Sequence, residues 1–446
     1  MTAALEKAVA DWYRGVVRMR AAAVEDSAGL VERIDAELDA NGEVSPQSRL
    51  LLDELGRTAA AGVSDARAGN SWPRRLAANV IRMIRGHEPY LHAARVEAPE
   101  TNVLHAIADL QTGGAQQLVI DVLRTAPGNS HHEVIFRSIS RTYRPGVTHR
   151  ALPVQVDAIR RYIDALDPEL VHVCHYHASL PSLAWYEAVF RAAITSGRPV
   201  VQSHCVIGDP WMGSNHQHLV FCSEWSMKRS GVSGIPGTVI HPGSPAQMFL
   251  APRRALSDSL RIGMAYRLVG DKIDVSAADA IIQVLKQVPA ARMCIAGDGN
   301  CRAALEARVR EAGFADRVDW LGYVPFEALP DFYRGLDLAI APVIADTFGS
   351  GSVHAILSGT PVVGYGVAAI PEILVSDEAL VVPGDPVDMG RKVAAILQDD
   401  ARHARVHAAQ LERSAKHFGI EQMAGQYHRL FREVADQSGH SSSNLH

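Results

Sequence analysis

Net charge is small, cysteines are few and without pattern, and no apolar run is long enough to cross a bilayer. Each shortage excludes a class of function. The chain of 446 residues has 44 Lys and Arg against 49 Asp and Glu, a net of -5, so it carries no basic footprint for nucleic acid. Its five cysteines (Cys174, Cys205, Cys222, Cys294, Cys301) show no Cys-x-x-Cys or other metal spacing, and an odd number argues against a disulfide framework. The N-terminal stretch MTAALEKAVADWYRG carries charges throughout, so neither a signal peptide nor a spanning helix is expected there. A soluble, cytoplasmic protein is the expectation. Its 47% hydrophobic and 21% charged residues are ordinary for a globular chain, and its length accommodates two or three domains.

What is present is a change of pattern along the chain. Residues 1–98 are rich in Ala, Arg, Glu and Leu, with helical spacing at Val16, Met19 and Ala23 and again at Leu50, Leu51 and Leu55. They predict a helical extension, with Ser45-Pro46 and Ser71-Trp72-Pro73 as helix starts. Packing, oligomerisation or acceptor binding are its candidate roles. From Asn102 short apolar strands alternate with helical stretches: 102–107, 170–173, 199–201, 219–222 and 239–243. A linker at Ala251-Pro252-Arg253-Arg254 leads to a second set beginning at 261–265, 292–296, 318–321, 338–341 and 360–363. Such alternation implies parallel βαβ units. The expected domains are therefore 99–250, joined by a C-terminal helix near 420–435, and 251–420. The polar residues 436–446 are expected to be a disordered tail.

The most informative stretch is Ala345 to Glu372, ADTFGSGSVHAILSGTPVVGYGVAAIPE. An acid, Asp346, precedes the run Phe348-Gly349-Ser350-Gly351-Ser352-Val353, and a glycine-rich loop entering a helix presents backbone N–H groups outward. Unsatisfied amides and the helix dipole at such a terminus both favour phosphate. An acid at the entrance can accept hydrogen bonds from sugar hydroxyls, so the pattern suggests a nucleotide-sugar site.

This segment resembles the donor-site motif of family 4 glycosyltransferases, retaining enzymes of the two-Rossmann-domain (GT-B) type. Asp346 stands where that motif has its first glutamate, Phe348 and Gly349 match, Gly359-Thr360-Pro361-Val362-Val363 match without a gap, and Ile370-Pro371-Glu372 matches the later Pro-Glu. His354 occupies the place of the second glutamate, which in the family grips the ribose hydroxyls. The resemblance covers about residues 102 to 430. It implies an α/β protein with two Rossmann-like domains facing across a cleft, the second binding a nucleotide-diphosphate sugar and the first the acceptor. It also implies no metal or other cofactor.

Arg267 and Lys272, in AYRLVGDK, lie five positions apart like the two cations of the family's Gly-Arg-Leu-x-x-x-Lys-Gly motif, with Tyr266 and Ile273 replacing its glycines. There they bind the diphosphate, and fixed cations in a dry cleft stabilise the negative charge that develops as it leaves. Gly297, in Ala296-Gly297-Asp298-Gly299, is either a strand-to-helix turn needing positive φ or a backbone contact to the nucleotide. Gly114, in Thr112-Gly113-Gly114-Ala115, resembles the family's Gly-Gly loop beside the donor phosphates and acceptor.

Residues 171–177, Val-His-Val-Cys-His-Tyr-His, place imidazoles at a strand end, where active-site residues of open sheets gather. The resemblance makes His175 and His177 candidates to face the reacting carbon, and His204 a candidate on the acceptor side. Zinc binding or plain structural histidines are the rival readings. Together these features point to a retaining glycosyltransferase acting on a hydroxyl or amine of a small-molecule or natural-product acceptor. A pseudo-glycosyltransferase, a nucleotide-sugar epimerase or a non-catalytic accessory homologue on the same fold are the alternatives. A homo-oligomer through the helical extension is a further expectation. Because His354 offers one acceptor nitrogen where a glutamate offers two oxygens, a donor lacking the ribose 2′-hydroxyl is expected to lose least.

Overall fold

A computed structural model describes residues 101–446 apart from 111–112, 141–146, 148, 177–179, 207–208, 214–215 and 444–446. The helical extension at 1–98, the oligomerisation assigned to it, Thr112 and His177 therefore lie outside the described residues.

Among the described residues, nine strands precede residue 240: β1 (Thr101–Ala106), β2 (Asp109–Leu110), β3 (Ser130–Phe136), β4 (Ser138–Ile139), β5 (His149–Ala151), β6 (Leu170–His175), β7 (Val200–His204), β8 (His216–Phe221) and β9 (Gly237–Val239). Seven form one sheet in the order β5-β3-β1-β6-β7-β8-β9, and the pairings of β1 with β3 and β6, β3 with β5, and β6 with β7 are parallel. Strands β10 (Arg261–Ala265), β11 (Arg292–Ala296), β12 (Val318–Gly322), β13 (Leu338–Ala341), β14 (Val362–Tyr365) and β15 (Leu380–Val381) form a second sheet in the order β12-β11-β10-β13-β14-β15, parallel throughout. Both are doubly wound. Helices cover both faces, so the central strands are buried; β6 and β13 are buried along their whole length.

The helices follow local rules. Ser276–Gln287 buries Ala277, Ala278, Ile281 and Leu285 on one stripe. Pro386–Leu397 starts with proline at its first turn, and the Asp385 carboxylate accepts from the amides of Val387 and Asp388. Asp399 caps Asp400–His417 in the same way.

The chain divides into two compact units. The first runs to Val220 and adds Val232–Gly237 and the chain from His428 on; the second comprises Phe221–Gly231 and Thr238–Tyr427. The second unit thus begins earlier than the expected boundary at 250. Its early piece, the helix Glu224–Ser230, is held by Glu372, which accepts from the amides of Glu224 at 3.0 Å and Trp225 at 2.9 Å. The stretch read as a linker is likewise docked in the second unit. The Ala251 amide donates to the Leu357 carbonyl at 2.9 Å, and Arg253 pairs with Asp400 at 2.7 Å. At the other end, the tail expected to be disordered from 436 is instead the continuation of a helix, Ile420–Ser443. Once nucleated, a helix gains one hydrogen bond per added residue, so polar residues can extend it.

Where this helix joins the first unit it covers a layer of histidines. His105 on β1 lies between His172 on β6 and His132 on β3, with Nδ1 to Nδ1 at 2.8 Å on one side and Nε2 to Nδ1 at 2.8 Å on the other. His172 Nε2 continues the chain to Ser203 Oγ at 2.7 Å. Phe431 packs on the rings of His105 and His172. Burial pushes the His172 imidazole down to about 3, and burial with the neighbouring histidines does the same to His132. All three are therefore neutral near pH 7.

Candidate active site

Each doubly wound sheet has a point where the strand order reverses, and ligands bind outside the carboxyl ends of the strands there. In the second sheet that point lies between β10 and β13. The loop after β10 carries Arg267 and Lys272, and the loop after β13 carries Asp346. The fold brings two of these together: Lys272 Nζ lies 2.7 Å from Asp346 Oδ2, and the Ile344 amide donates to the Lys272 carbonyl at 2.9 Å. Asp346 is 6% exposed, and its other carboxylate oxygen accepts from the Phe348 amide at 3.3 Å. Arg267 is not drawn in. Its guanidinium is exposed and pairs with Asp271 at 3.3 Å.

Gly349 enters the helix Ser350–Leu357 with φ 104°, in the left-handed region that glycine tolerates, and no side chain caps the helix. The amides of Ser352 and Val353 point back to the Gly349 carbonyl at 2.9 and 3.4 Å. Among the described residues no acceptor meets the amides of Gly349, Ser350 and Gly351, which narrows the expected run 349–353 to its first three members. Phe348 is buried against His241 and Phe418, and Val353 is fully buried, so both side chains anchor the loop. Ser352 Oγ is 3.2 Å from the Tyr266 hydroxyl, which accounts for a tyrosine where the motif has glycine.

His354 differs from the open ligand the motif suggested. Its ring is 9% exposed and lies flat on Phe249, with centroids 4.2 Å apart and planes 6° apart, while Phe326 meets it edge-on. Burial pushes the imidazole down to about 4, so it is neutral. Gly297 is explained by packing. Its φ is 137°, a Cβ there would stand 1.9 Å from the Tyr266 carbonyl oxygen, and its amide already donates to the Gly322 carbonyl at 2.7 Å.

In the first sheet the reversal lies between β1 and β6. The Tyr186 hydroxyl bridges the two strand ends, donating to the Cys174 carbonyl at 2.7 Å and accepting from the Ala108 amide at 3.1 Å. Gly114 opens the helix Gly114–Arg124 beside this crevice, and a Cβ built on it meets nothing within 4 Å. His175 and His204 face each other across β6 and β7 with ring centroids 5.8 Å apart. His204 is 1% exposed and His175 4%. Both are enclosed, so His204 presents no ring to a passing acceptor. Among the described residues no group of three or more His, Cys, Asp or Glu is placed to hold a metal ion.

A polar cluster that sequence reasoning did not single out centres on Asp109, which follows β1. Its carboxylate meets Arg137 at 2.5 Å and Ser182 at 2.6 Å, and also Ser138. The Tyr176 hydroxyl lies 3.2 Å from its carbonyl. The signal was an acid four residues before Gly113-Gly114 at the end of an apolar strand. An aspartate ending a strand is too common to stand out alone.

Residues 261–399 match the family model described as glycosyl transferases group 1. Over 166 residues, 37% of this chain, it is 31% identical to a 2-deoxystreptamine glucosyltransferase of Streptomyces kanamyceticus, covering 43% of that protein. Over 146 residues, 32% of this chain, it is 30% identical to a 2-deoxystreptamine N-acetyl-D-glucosaminyltransferase of Streptomyces fradiae, covering 35% of it. The matched segments thus span less than half of either relative. Among solved structures, Anabaena Alr3699/HepE in complex with UDP superposes with a TM-score of 0.63 at 16% identity, over 74% of this chain and all of that one. A glycosyltransferase from Rickettsia africae gives a TM-score of 0.63 at 14% identity, over 75% and 98%. The fold is that of the GT-B glycosyltransferases, with two Rossmann-like domains. Among the described residues no helix is long and apolar enough to cross a membrane.

Proposed function

We propose that this protein is a retaining glycosyltransferase that moves a sugar from a nucleotide-diphosphate donor to a small, hydroxyl-rich natural-product acceptor. The observation that carries the reading is the meeting of Lys272 and Asp346 at the strand-order reversal of the second sheet, beside the unmet amides of Gly349, Ser350 and Gly351. A cation and helix-terminal amides suit a diphosphate, and a buried carboxylate next to them suits sugar hydroxyls. Arg267, exposed on the same loop, is the second cation. The reading needs no metal, because these two side chains supply the positive charge.

In this reading the bond between the anomeric carbon and the diphosphate oxygen breaks while Lys272 and Arg267 hold the departing charge. The acceptor oxygen forms its bond on the same face, and its proton passes to the departing phosphate oxygen. No described side chain is required as a covalent nucleophile. On the acceptor side we place Asp109 at the crevice of the first sheet, with Gly114 giving backbone access and His175 behind it as a positioning group. The names of the two Streptomyces relatives support an aminocyclitol acceptor.

The test is a thermal-shift panel of nucleoside diphosphates and nucleotide sugars, followed by mass-spectrometric detection of transfer to 2-deoxystreptamine and related cyclitols. Selective stabilisation by one nucleoside diphosphate is expected by mass action, about 2.7 kcal/mol at a hundredfold excess over Kd. No stabilisation by any member of the panel would remove the donor site.

A further inference from the structure

All five cysteines are free thiols, but two of them are close neighbours. Cys174 lies in β6 and Cys205 directly follows β7. These strands run parallel with Cys174 opposite Ser203. Cys205 is two residues beyond Ser203, so its side chain leaves the sheet on the same face as that of Cys174. The Cys205 amide still donates to the His175 carbonyl at 2.8 Å, which fixes the register one residue past the strand. The two Sγ atoms stand 3.9 Å apart. The remaining thiols each meet an atom other than sulfur: Cys222 the Thr347 carbonyl at 3.3 Å, Cys294 the Arg261 guanidinium at 3.2 Å, Cys301 the Asn300 side chain at 3.6 Å.

We propose that Cys174 and Cys205 form a reversible disulfide site. A disulfide needs its sulfurs at about 2.0 Å, so they must approach by about 1.9 Å. Cys205, half-buried and beyond the last ladder residue, can move most readily. Cys174 loses little, since its other contact is a weak one to the Ala115 carbonyl at 3.6 Å. With a small-molecule disulfide as oxidant, the Cys205 thiolate attacks one oxidant sulfur and expels one thiolate, which takes up a proton. The deprotonated Cys174 then attacks Cys205 Sγ and releases the second. Two cysteine S–H bonds and the oxidant S–S bond are lost; one protein S–S bond and two small-molecule thiols are formed. The hydrogen bond with Cys174 and burial both push the Cys205 thiol well above its ordinary value. Exchange depends on the thiolate, so closure is slow at neutral pH and accelerates as pH rises.

The test reads thiols rather than turnover. Folded protein is incubated with excess glutathione disulfide between pH 7 and 9, quenched in acid, and analysed by thiol titration and peptide mapping. Two of five thiols are expected to disappear into one Cys174–Cys205 cross-link, roughly tenfold faster for each pH unit, and to return with a dithiol reductant. C205A, which lacks the attacking thiol, should retain all four remaining thiols under the same exposure, whereas C174A should stop at a glutathione mixed disulfide on Cys205 and form no cross-link. Five persistent thiols in the unsubstituted protein would overturn the proposal. So would loss of the thiols of that unsubstituted protein into lasting glutathione adducts, or into pairs that include Cys222, Cys294 or Cys301.

Discussion

Lys272 Nζ stands 2.7 Å from Asp346 Oδ2, so the cation and the acid that the motifs set 74 positions apart share one contact at the carboxyl ends of β10 and β13. Neither can be altered without changing the other's surroundings. Lys272→Ala and Asp346→Asn are each expected to lower kcat/KM by about two to three orders of magnitude. The double variant should be little worse than the more damaging single one, because the two act as a unit. Lys272→Ala should also reduce stability by about 1–3 kcal/mol, since it leaves a buried carboxylate unpaired while the lysine itself is partly exposed. Arg267→Ala, which loses only an exposed pair with Asp271, should reduce turnover with Tm unchanged. Steady-state kinetics with calorimetry on the four proteins checks this; fully additive losses would separate the two residues.

Two glycines expected to touch the donor should behave in opposite ways. A Cβ at Gly297 would run into the Tyr266 carbonyl at φ 137°, so Gly297→Ala should destabilise the protein by more than about 2 kcal/mol. Gly114 opens a helix with empty space at its Cβ. Gly114→Ala should therefore leave the urea midpoint unchanged, and any effect should fall on KM for donor or acceptor. A large stability loss at Gly114 would mean that the glycine serves packing.

How far these features were legible follows from the kind of signal each one leaves. The Asp346 loop was legible because acid, glycine run and helix are contiguous, and β10 to β14 because each centres on a short, mainly apolar run. Strand β3 was not, because it begins Ser130-His131-His132-Glu133 and only its last three residues are apolar. The histidine layer was invisible for a related reason. His105, His132 and His172 are far apart in sequence, and only the register of three parallel strands aligns them. The early start of the second unit was hidden too, because it rests on Glu372 capping a helix almost 150 residues away in the chain. Contacts within one loop can be read from spacing; contacts made by strand order cannot.

The histidine layer predicts an acid-labile first unit. Burial holds His132 and His172 at about 3, and burial with its neighbours holds His105 well below its ordinary value. His428 of the C-terminal helix, the titratable group facing His132 from that side, is also lowered by burial. For a lowered histidine the unfolded chain binds more protons. The stability is therefore fully present above about pH 6.5 and is lost as pH falls toward 3. Each of His132 and His172 should contribute about 1.4 kcal/mol of loss per pH unit below 6.5. Urea midpoints between pH 7 and 4.5 measure this slope, and His132→Phe should lessen it by about 1.4 kcal/mol per pH unit. A slope unchanged by that substitution would place the acid sensitivity elsewhere.

His354 separates packing from recognition. Its neutral ring is stacked on Phe249, and truncation to alanine would open a cavity costing about 2–4 kcal/mol, whatever else the residue does. His354→Phe keeps the ring and removes both nitrogens, so stability should be retained or slightly raised. If a ring nitrogen meets the nucleotide, affinity for the nucleoside diphosphate should fall several-fold to about tenfold, the scale of one hydrogen bond of about 0.5–1.5 kcal/mol. One neutral acceptor holds a 2′-hydroxyl less firmly than a carboxylate, so the unsubstituted protein should bind thymidine diphosphate at least as well as uridine diphosphate. Competition titrations with both nucleotides on both proteins resolve the two roles. A strong preference for the ribonucleotide, unchanged in His354→Phe, would make the ring a packing element and leave the ribose to other groups.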